Sequence, residues 1–343
     1  MSAITVTRMA APDAAWDAFV RAQPGWTPFH LAAWHAVVRD TWGHEQLLYV
    51  ARDAEGAWRG VLRLVRVKSP IFGHYLVSEP FVNYGGPLGE PDAVRALVEA
   101  ALDRARSDKV DLLELRSRHE VATDLEASHR KITVVMDLKP GAPDAVFKGL
   151  DSKLRSQVRR PAKEGVTMRF GPEQAAPFFS IFARHMRDLG TPTQPLALFE
   201  NIARHFGDDA WFGCAYLNDI PIAGGVGFRW NGEFEMTWAS ALREYNKVSP
   251  NMLVYWAFIE RACNEGLSLF NFGRCSPDGG THKFKKQWGS RDEELWWYGW
   301  SPSGVGATPS PDSAKFQLAT RVWQKLPLGL TNRLGPALVR FIP

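Results

Sequence analysis

The chain repeats itself. The run AVRALVEAALDRARSDKVDLLEL (residues 93–115) and the run NMLVYWAFIERACNEGLSLFNF (residues 251–272) each read as a helix closing on a buried strand, about 160 residues apart. The segments before them keep the same order. In the first half a helix over 31–41 leads to strands at Gln46–Arg52 and 58–67, joined by a polar turn at 53–56. After a Pro/Gly-punctuated stretch comes a helix over 93–106, with Val94, Leu97, Val98, Ala101 and Leu102 on one face, and a strand over 110–115. In the second half helices over 174–189 and 196–206 precede strands at Ala210–Leu217, 222–230 and 233–240. The last of these alternates Phe234, Met236 and Trp238 against Glu235 and Thr237. A helix over 250–264 and a strand over 267–272 follow. Helix, hairpin, helix and strand used twice predict an α/β protein of the mixed α+β kind, with two tandem domains each built on a twisted sheet flanked by helices.

At 343 residues the chain is long enough for two cores. The Pro/Gly-rich stretch 139–144 sets the expected boundary, giving domains 1–143 and 144–300. Residues 301–313, SPSGVGATPSPDS, read as a flexible connector to a basic tail, so that 301–343 is linker plus tail. In the tail Trp323, Leu326, Leu330, Leu334, Leu338 and Phe341 recur every three or four residues, and Pro327 and Pro336 limit it to two short helices. Residues 313–343 hold five cations and no acid, whereas the whole chain is only +4, so the rest is close to neutral. Such a tail either packs back on the first domain or lies on the anionic inner face of the plasma membrane. Three cysteines without metal-ligand spacing fit a reducing compartment. The start of the chain lacks the pattern of a signal peptide, and no apolar run is long enough to span a bilayer, so a cytoplasmic protein is expected.

Three segments resemble the acetyltransferase-like half of FemAB-type proteins: LDSKLRSQVRRPAKEGV (150–166), LNDIPIAGGVGFRWNGEFEMTWASA (217–241) and GLSLFNFGRCSPDGGTHKFKKQWG (266–289). The loop EPFVNYGGP (79–87) and the closing LPLGLTNRLGPALVRFIP are similar to FemAB-related proteins associated with exosortase and exopolysaccharide systems. The resemblance implies two tandem GNAT-like domains that transfer an aminoacyl group from aminoacyl-tRNA to an amine of a cell-envelope precursor. It also implies that Lys285, after the aromatic of FKK, approaches the transferred carbonyl and the tRNA acceptor end. Two features depart from the family: the long helical arm some members insert is absent, and the acceptor of the exopolysaccharide branch does not follow from the likeness.

Candidate residues cluster in three places. Along 148–163, Arg155, Arg159 and Lys163 stand at i,i+4 positions beside a Leu150, Leu154 and Val158 stripe, with Lys153 and Arg160 flanking. Like charges at that spacing repel, so they mark either a phosphate site or a solvated face. In 273–289, Arg274, His282, Lys283, Lys285 and Lys286 stand among four glycines. A cation there can stabilise the oxyanion formed when an amine attacks an ester. His282, Asp278 and Glu235 are the nearest candidates for a base, though amine attack on an activated ester needs little help. If 282–286 is extended, Phe284 and Lys286 face away from Lys285. The third place is the 79–87 loop, where Asn83 and Tyr84 beside Gly85 and Gly86 either meet an acceptor or form a plain turn. For a transferase to work here, the cations of 148–163 and 273–289 must open onto one cavity.

Other chemistries lack their motifs: no GxxxxGK[ST], GxSxG, HExxH or paired CxxC occurs. No metal and no tightly bound cofactor are expected. The glycine turn that cradles the pyrophosphate of acetyl-CoA is also missing, and RDLGTP at 187–192 only half-matches it. Two rival readings remain open. One is an N-acyltransferase that uses acyl-CoA or an acyl carrier protein on an exopolysaccharide amino sugar. The other is a non-catalytic scaffold for envelope assembly. In either transferase reading the partner is a nucleotide- or lipid-linked envelope precursor.

Overall fold

Strand pairing reveals the repeat more clearly than the sequence does. The computed structural model describes residues 3–70, 72–304 and 314–342. The chain opens with β1 (Thr5–Met9), α1 (Ala14–Ala22), α2 (Ala32–Trp42), β2 (Gln46–Arg52), β3 (Trp58–Ser69), β4 (Gly73–Val77), β5 (Leu88–Gly89), α3 (Pro91–Ser107), β6 (Leu112–Ser117) and β7 (Ala127–Ser128). It continues through β8 (Ile132–Asp137), α4 (Pro143–Gly149), α5 (Ser152–Lys163), β9 (Thr167–Phe170), α6 (Ala175–Leu189), α7 (Leu196–Phe206), β10 (Ala210–Leu217), β11 (Ile220–Trp230) and β12 (Glu233–Ala241). Then come α8 (Pro250–Asn264), β13 (Leu269–Cys275), α9 (Gly280–Lys286), β14 (Arg291–Glu294), β15 (Trp296–Trp300), α10 (Ala314–Lys325) and α11 (Leu328–Val339).

Two units result. The first holds the described residues of 1–130, 294–313 and 337–343, and the second those of 131–293 and 314–336. The first sheet runs β1-β2-β3-β4-β6-β15-β7, with β5 on the flank of β3; the second runs β9-β10-β11-β12-β13-β8-β14. In each, the fourth and fifth strands are parallel and joined by a helical crossover, α3 in one and α8 in the other. The architecture is therefore two mixed sheets flanked by helices.

The sixth strand of each sheet lies outside the expected domain limits. β8 precedes residue 139 yet pairs with β13, and β15 follows the second sheet's strands yet pairs with β6. The boundary falls at 130/131, not at 143/144. The Pro140–Gly141 signal marks only the turn from β8 into α4, since proline and glycine punctuate turns inside domains as readily as between them. The tail also divides, with residues 314–336 in the second unit and the end from 337 in the first. Of the expected connector 301–313, residues 305–313 lie outside the described residues.

The second core explains its own sequence. α8 buries Val254, Tyr255, Phe258, Ile259, Ala262 and Cys263 around most of its circumference, the pattern of a helix covered on several sides. Glycines in the facing strands make room for rings. A Cβ on Gly213 would lie 2.7 Å from Phe170 and 2.8 Å from Phe258, and one on Gly227 would lie 2.5 Å from Phe234. Phe234 stacks on Trp211 at 4.5 Å and on Phe258 at 5.4 Å.

A fragment cut at the Pro/Gly signal, residues 1–143, lacks β15 and carries β8 without its partner. It should not melt cooperatively, whereas the full chain should; circular dichroism against temperature reads the difference.

Candidate functional site

The site in the second unit begins where the parallel pair stops. β12 and β13 are in register only over Glu233–Glu235 and Leu269–Asn271. Beyond that β12 stays with β11, while β13 shifts register between Asn271 and Arg274 and continues along β8. Buried side chains occupy the apex of this parting. Asn271 Nδ2 donates to Glu233 Oε1 at 2.8 Å, and Asn271 Oδ1 accepts from Thr133 Oγ1 at 2.6 Å and from the Gly273 N–H at 2.8 Å. Such a network is stable only when its members are satisfied.

A cavity of about 400 Å³ opens beside the free end of β12. Ala239–Ala241 of β12, Arg243 and Asn246 of the following 3-10 turn, and Asn251 and Tyr255 of α8 form three walls. His185 of α6 and Gly280, Thr281 and Phe284 of α9 close it. Tyr255 and Phe284 pack at 5.0 Å as an apolar floor, and burial pushes the Tyr255 phenol up, so it stays protonated. His185 Nδ1 lies 2.9 Å from the buried Ser240 Oγ. Burial, and then the Arg243 guanidinium, lower the His185 pKa, which keeps the imidazole neutral near pH 7. Arg243 and Asn246 stand exposed at the rim. The first turn of α8, a 15-residue helix opened by Pro250, adds the positive end of its dipole.

The expected site residues fall elsewhere in this unit. Lys285 is 3% exposed, and its Nζ donates to the carbonyls of Gly273 (2.6 Å) and Arg274 (3.0 Å) just after the parting. Desolvation lowers its pKa to about 8, opposed by Cys275 and Glu235. Glu235 is itself fully buried at the last paired position of β12. The segment 280–286 is a helix rather than extended, so Phe284 and Lys285 are set apart by helical and not strand geometry. His282 is fully engaged: Nδ1 accepts from the Asp278 N–H, and Nε2 faces both Asp292 carboxylate oxygens at 3.0 Å. Asp278 takes a left-handed φ of 62° at this clip. Arg274 is exposed on β13.

On α5, Arg155 donates to the carbonyls of Lys148 (2.9 Å) and Leu150 (2.6 Å), closing the end of α4. Arg159 lies 4.9 Å over the Phe147 ring, while Lys153 and Lys163 are exposed. None of these four cations lines the β12 cavity, and neither does Lys285. Neither of the two cavities described in this unit is lined by cations of both basic segments. The cations of 148–163 were read for their charge, whereas orphan carbonyls and a ring claim Arg155 and Arg159. His185, Ser240, Arg243 and Asn251 were not singled out in sequence, because they are scattered over α6, β12, a turn and α8. The Ser249-Pro250 helix start was their one visible signal.

The first unit has a separate cavity, also about 400 Å³, whose lining includes His30, Tyr84, Gly85, Gly86, Arg118 and His119. Three of the four expected loop residues are there; Asn83 is buried and lies outside the lining. The loop is clamped. Glu79 is paired with Arg63, both buried, and Arg63 also donates to the carbonyls of Phe29 and Leu31. Arg116 donates to the carbonyls of Glu79 and Val82, each at 3.3 Å, and its own carbonyl accepts from the Gly85 N–H at 2.9 Å. Glu79 and Phe81 hold φ values of 80° and 74°, which cost energy and persist because this network fixes them. Only glycine fits at 85: a Cβ would lie 2.0 Å from Glu79 Cγ. Burial pushes the Glu79 carboxyl up, against the pull of Arg63. His30 Nδ1 accepts from the Thr27 N–H, and Nε2 meets the Gly86 carbonyl, both at 3.0 Å, so neither ring nitrogen is left for catalysis.

Among the described residues no group of three or more His, Cys, Asp or Glu is placed to hold a metal ion, and no helix is long and apolar enough to cross a membrane. A family model described as an acetyltransferase (GNAT) domain matches residues 151–286, the heart of the second unit. No curated protein sequence matches the chain. Among solved structures, FemX superposes with a TM-score of 0.61 at 17% identity, covering 85% of this chain and 97% of that one. The C-terminal domain of a putative lysylphosphatidylglycerol synthetase from Agrobacterium fabrum gives 0.56 at 11% identity, with coverages of 84% and 91%. A tandem GNAT protein from the clavulanic acid biosynthesis pathway gives 0.54 at 14%, with coverages of 87% and 98%. The fold is one shared with FemX and with a tandem GNAT protein, and within it residues 151–286 match a GNAT acetyltransferase domain.

The buried histidine of the first unit sets a pH dependence. Burial first, and Arg63 second, lower the His30 pKa from 6.5 to about 4. A depressed histidine pKa means the unfolded chain binds the proton first as pH falls, so stability is full above about 6.5 and declines towards 4. The loss is on the order of 3 kcal/mol at pH 4. His30→Gln should flatten the slope of stability against pH in that window, as read by urea denaturation.

Proposed function

We propose that the protein transfers an acyl group, and foremost an aminoacyl group, from a phosphate-bearing donor to an amine of a cell-envelope precursor. The observation that carries this reading is the cavity beside the open edge of β12, walled by a helix N-terminus and an arginine. A carbonyl laid along that edge meets backbone groups that have no β13 partner there, and fixed N–H dipoles are suited to a developing oxyanion. The N-terminal turn of α8 and Arg243 suit the donor's phosphate. Lys153 and Lys163, exposed on α5, extend the positive surface along a longer donor such as a tRNA acceptor end.

In this mechanism the acceptor nitrogen attacks the carbonyl carbon, the tetrahedral intermediate collapses, and the bond to the donor oxygen breaks. The proton leaving nitrogen passes through neutral His185 to the departing hydroxyl. Lys285 and Glu235 hold the apex of the parting and act from behind it. Aminoacyl transfer is favoured by the segments similar to FemAB-type proteins, and by a shared fold with a putative lysylphosphatidylglycerol synthetase, whose name describes a lysyl-bearing product. An acyl-CoA donor is the second reading, favoured by the α8 N-terminus and Arg243, which offer a diphosphate a seat without the glycine turn.

Transfer assays with aminoacyl-tRNA and with acyl-CoA separate the donors, and ribonuclease should abolish only the first. Arg243→Ala should raise KM for the donor roughly ten-fold, the effect of one lost charge-assisted contact. His185→Gln should lower kcat by roughly 100-fold and remove the acidic limb of the pH–rate profile. Transfer unchanged in both variants would sink this site, and an in vivo phenotype that survives His185→Gln would indicate a scaffold.

A further inference from the structure

The tail helices leave part of their large apolar surface facing outward. In α11 the residues facing the second unit are small, Thr331 and Gly335, whereas Leu330 and Leu334 are each 41% exposed. This orientation is enforced. A Cβ on Gly335 would sit 2.9 Å from the Thr193 nitrogen and 3.0 Å from its Cγ2, so the helix approaches at that point as only glycine allows and its leucines cannot rotate inward. α10 behaves alike: it abuts Gly190 through Thr320, Gln324 Nε2 donates to the Asp188 carbonyl at 3.2 Å, and Val322 is left 53% exposed. Leu189, next to that contact, is 43% exposed. Seven large apolar residues are exposed among those described, and these four all lie on α10, α11 or the adjoining end of α6.

The charges around them are of one sign. Arg321 and Lys325 flank Val322, and Arg333 stands beside Leu334, all exposed. No acid occurs in residues 313–343. Asp188, whose backbone carbonyl takes the Gln324 contact, has its carboxylate paired with Arg187 at 2.6 Å. Outward leucine and valine set among arginine and lysine, with no compensating acid, match a surface that is anionic above and apolar below. A second protein would need acids to answer the cations, whereas a bilayer bearing acidic phospholipid supplies both features.

We propose that α10 and the first part of α11 form a docking surface for an anionic phospholipid bilayer, with Val322, Leu330 and Leu334 entering the headgroup–acyl boundary and Arg321, Lys325 and Arg333 meeting lipid phosphates. The surface holds the enzyme at a membrane without a spanning segment, beside acceptors carried by lipids. Each cation near such a surface contributes about five-fold in affinity.

The test is sedimentation of the full chain with vesicles of phosphatidylcholine alone and with phosphatidylglycerol added. Binding should require phosphatidylglycerol, weaken with salt, and fall at least ten-fold in Leu330→Glu/Leu334→Glu. Arg321→Gln/Lys325→Gln/Arg333→Gln should lower it further than ten-fold. Leu334→Cys carrying a polarity-sensitive dye gives an independent reading, since Cys214, Cys263 and Cys275 are all buried; its emission should shift blue on vesicles. Equal sedimentation with both vesicle types overturns the proposal, as does phosphatidylglycerol binding that the leucine variant leaves intact. A dimer that the leucine variant dissolves, with no lipid binding, overturns it too and gives the face to a second copy.

Discussion

The second unit depends on where β13 leaves β12. A parallel pair that held throughout would close the sheet and leave no cavity. Pairing ends at Glu235 and Asn271, and from Arg274 onward β13 runs with β8. Backbone groups freed inside a protein must find other partners. The Asn271 side chain takes the Gly273 N–H, and the Lys285 ammonium takes the Gly273 and Arg274 carbonyls. Burying that ammonium is costly, which is why its pKa falls. Two charge-enhanced hydrogen bonds and the nearby Glu235 offset the cost. The lysine that stands out in the sequence as a reagent is in the structure the support of the bend.

The first unit meets the same topology with the opposite solution. β4 pairs with β6 only over Tyr75–Val77 and Leu112–Glu114. Where β4 ends, the 79–87 loop turns onto the continuing β6, and the Arg116 side chain and carbonyl bind Glu79, Val82 and Gly85. Two non-glycine residues at positive φ and a buried Arg63–Glu79 pair hold it there. A buried ion pair adds little net stability, but removing one partner is costly, so such a pair locks a conformation. The gap beside the parallel strands is filled in one unit and open in the other. The two copies are thus alike in strand order and divergent in the feature that makes a site.

Periodicity carried most of the fold. β2, β10 and the helices α3, α6, α7 and α8 sit within a few residues of their patterns, because each shows one buried face or alternation over several turns. What periodicity could not convey is long-range partnership. β8 and β15 were not singled out as strands, and nothing local says that each completes the other half's sheet. The surroundings of the cations were hidden for a related reason. Arg155 and His282 look like ligand-binding groups in a string of letters. In space they answer backbone and carboxylate groups a few residues away, and a helix end or loop clip is invisible until the chain folds. The β12 cavity was illegible because its lining is scattered over α6, β12, a 3-10 turn, α8 and α9.

The exchanged strands also brace β13 beyond the parting. Its other edge stays on β8: Phe270 and Asn271 pair with Met136 and Val135 before the register shift, and Arg274 and Cys275 with Thr133 and Ile132 after it. β8 reaches that place only because the chain crosses into the second unit before residue 132, and β15 must in turn come back from beyond residue 293 to fill the sixth position of the first sheet. Pairing Trp296 with Ser117 closes a very long loop, an entropic cost that grows only slowly with length and is outweighed by the strand's burial. The arrangement that makes the two units hard to separate in sequence is therefore also the one that holds β13 in place beyond the end of its pairing with β12.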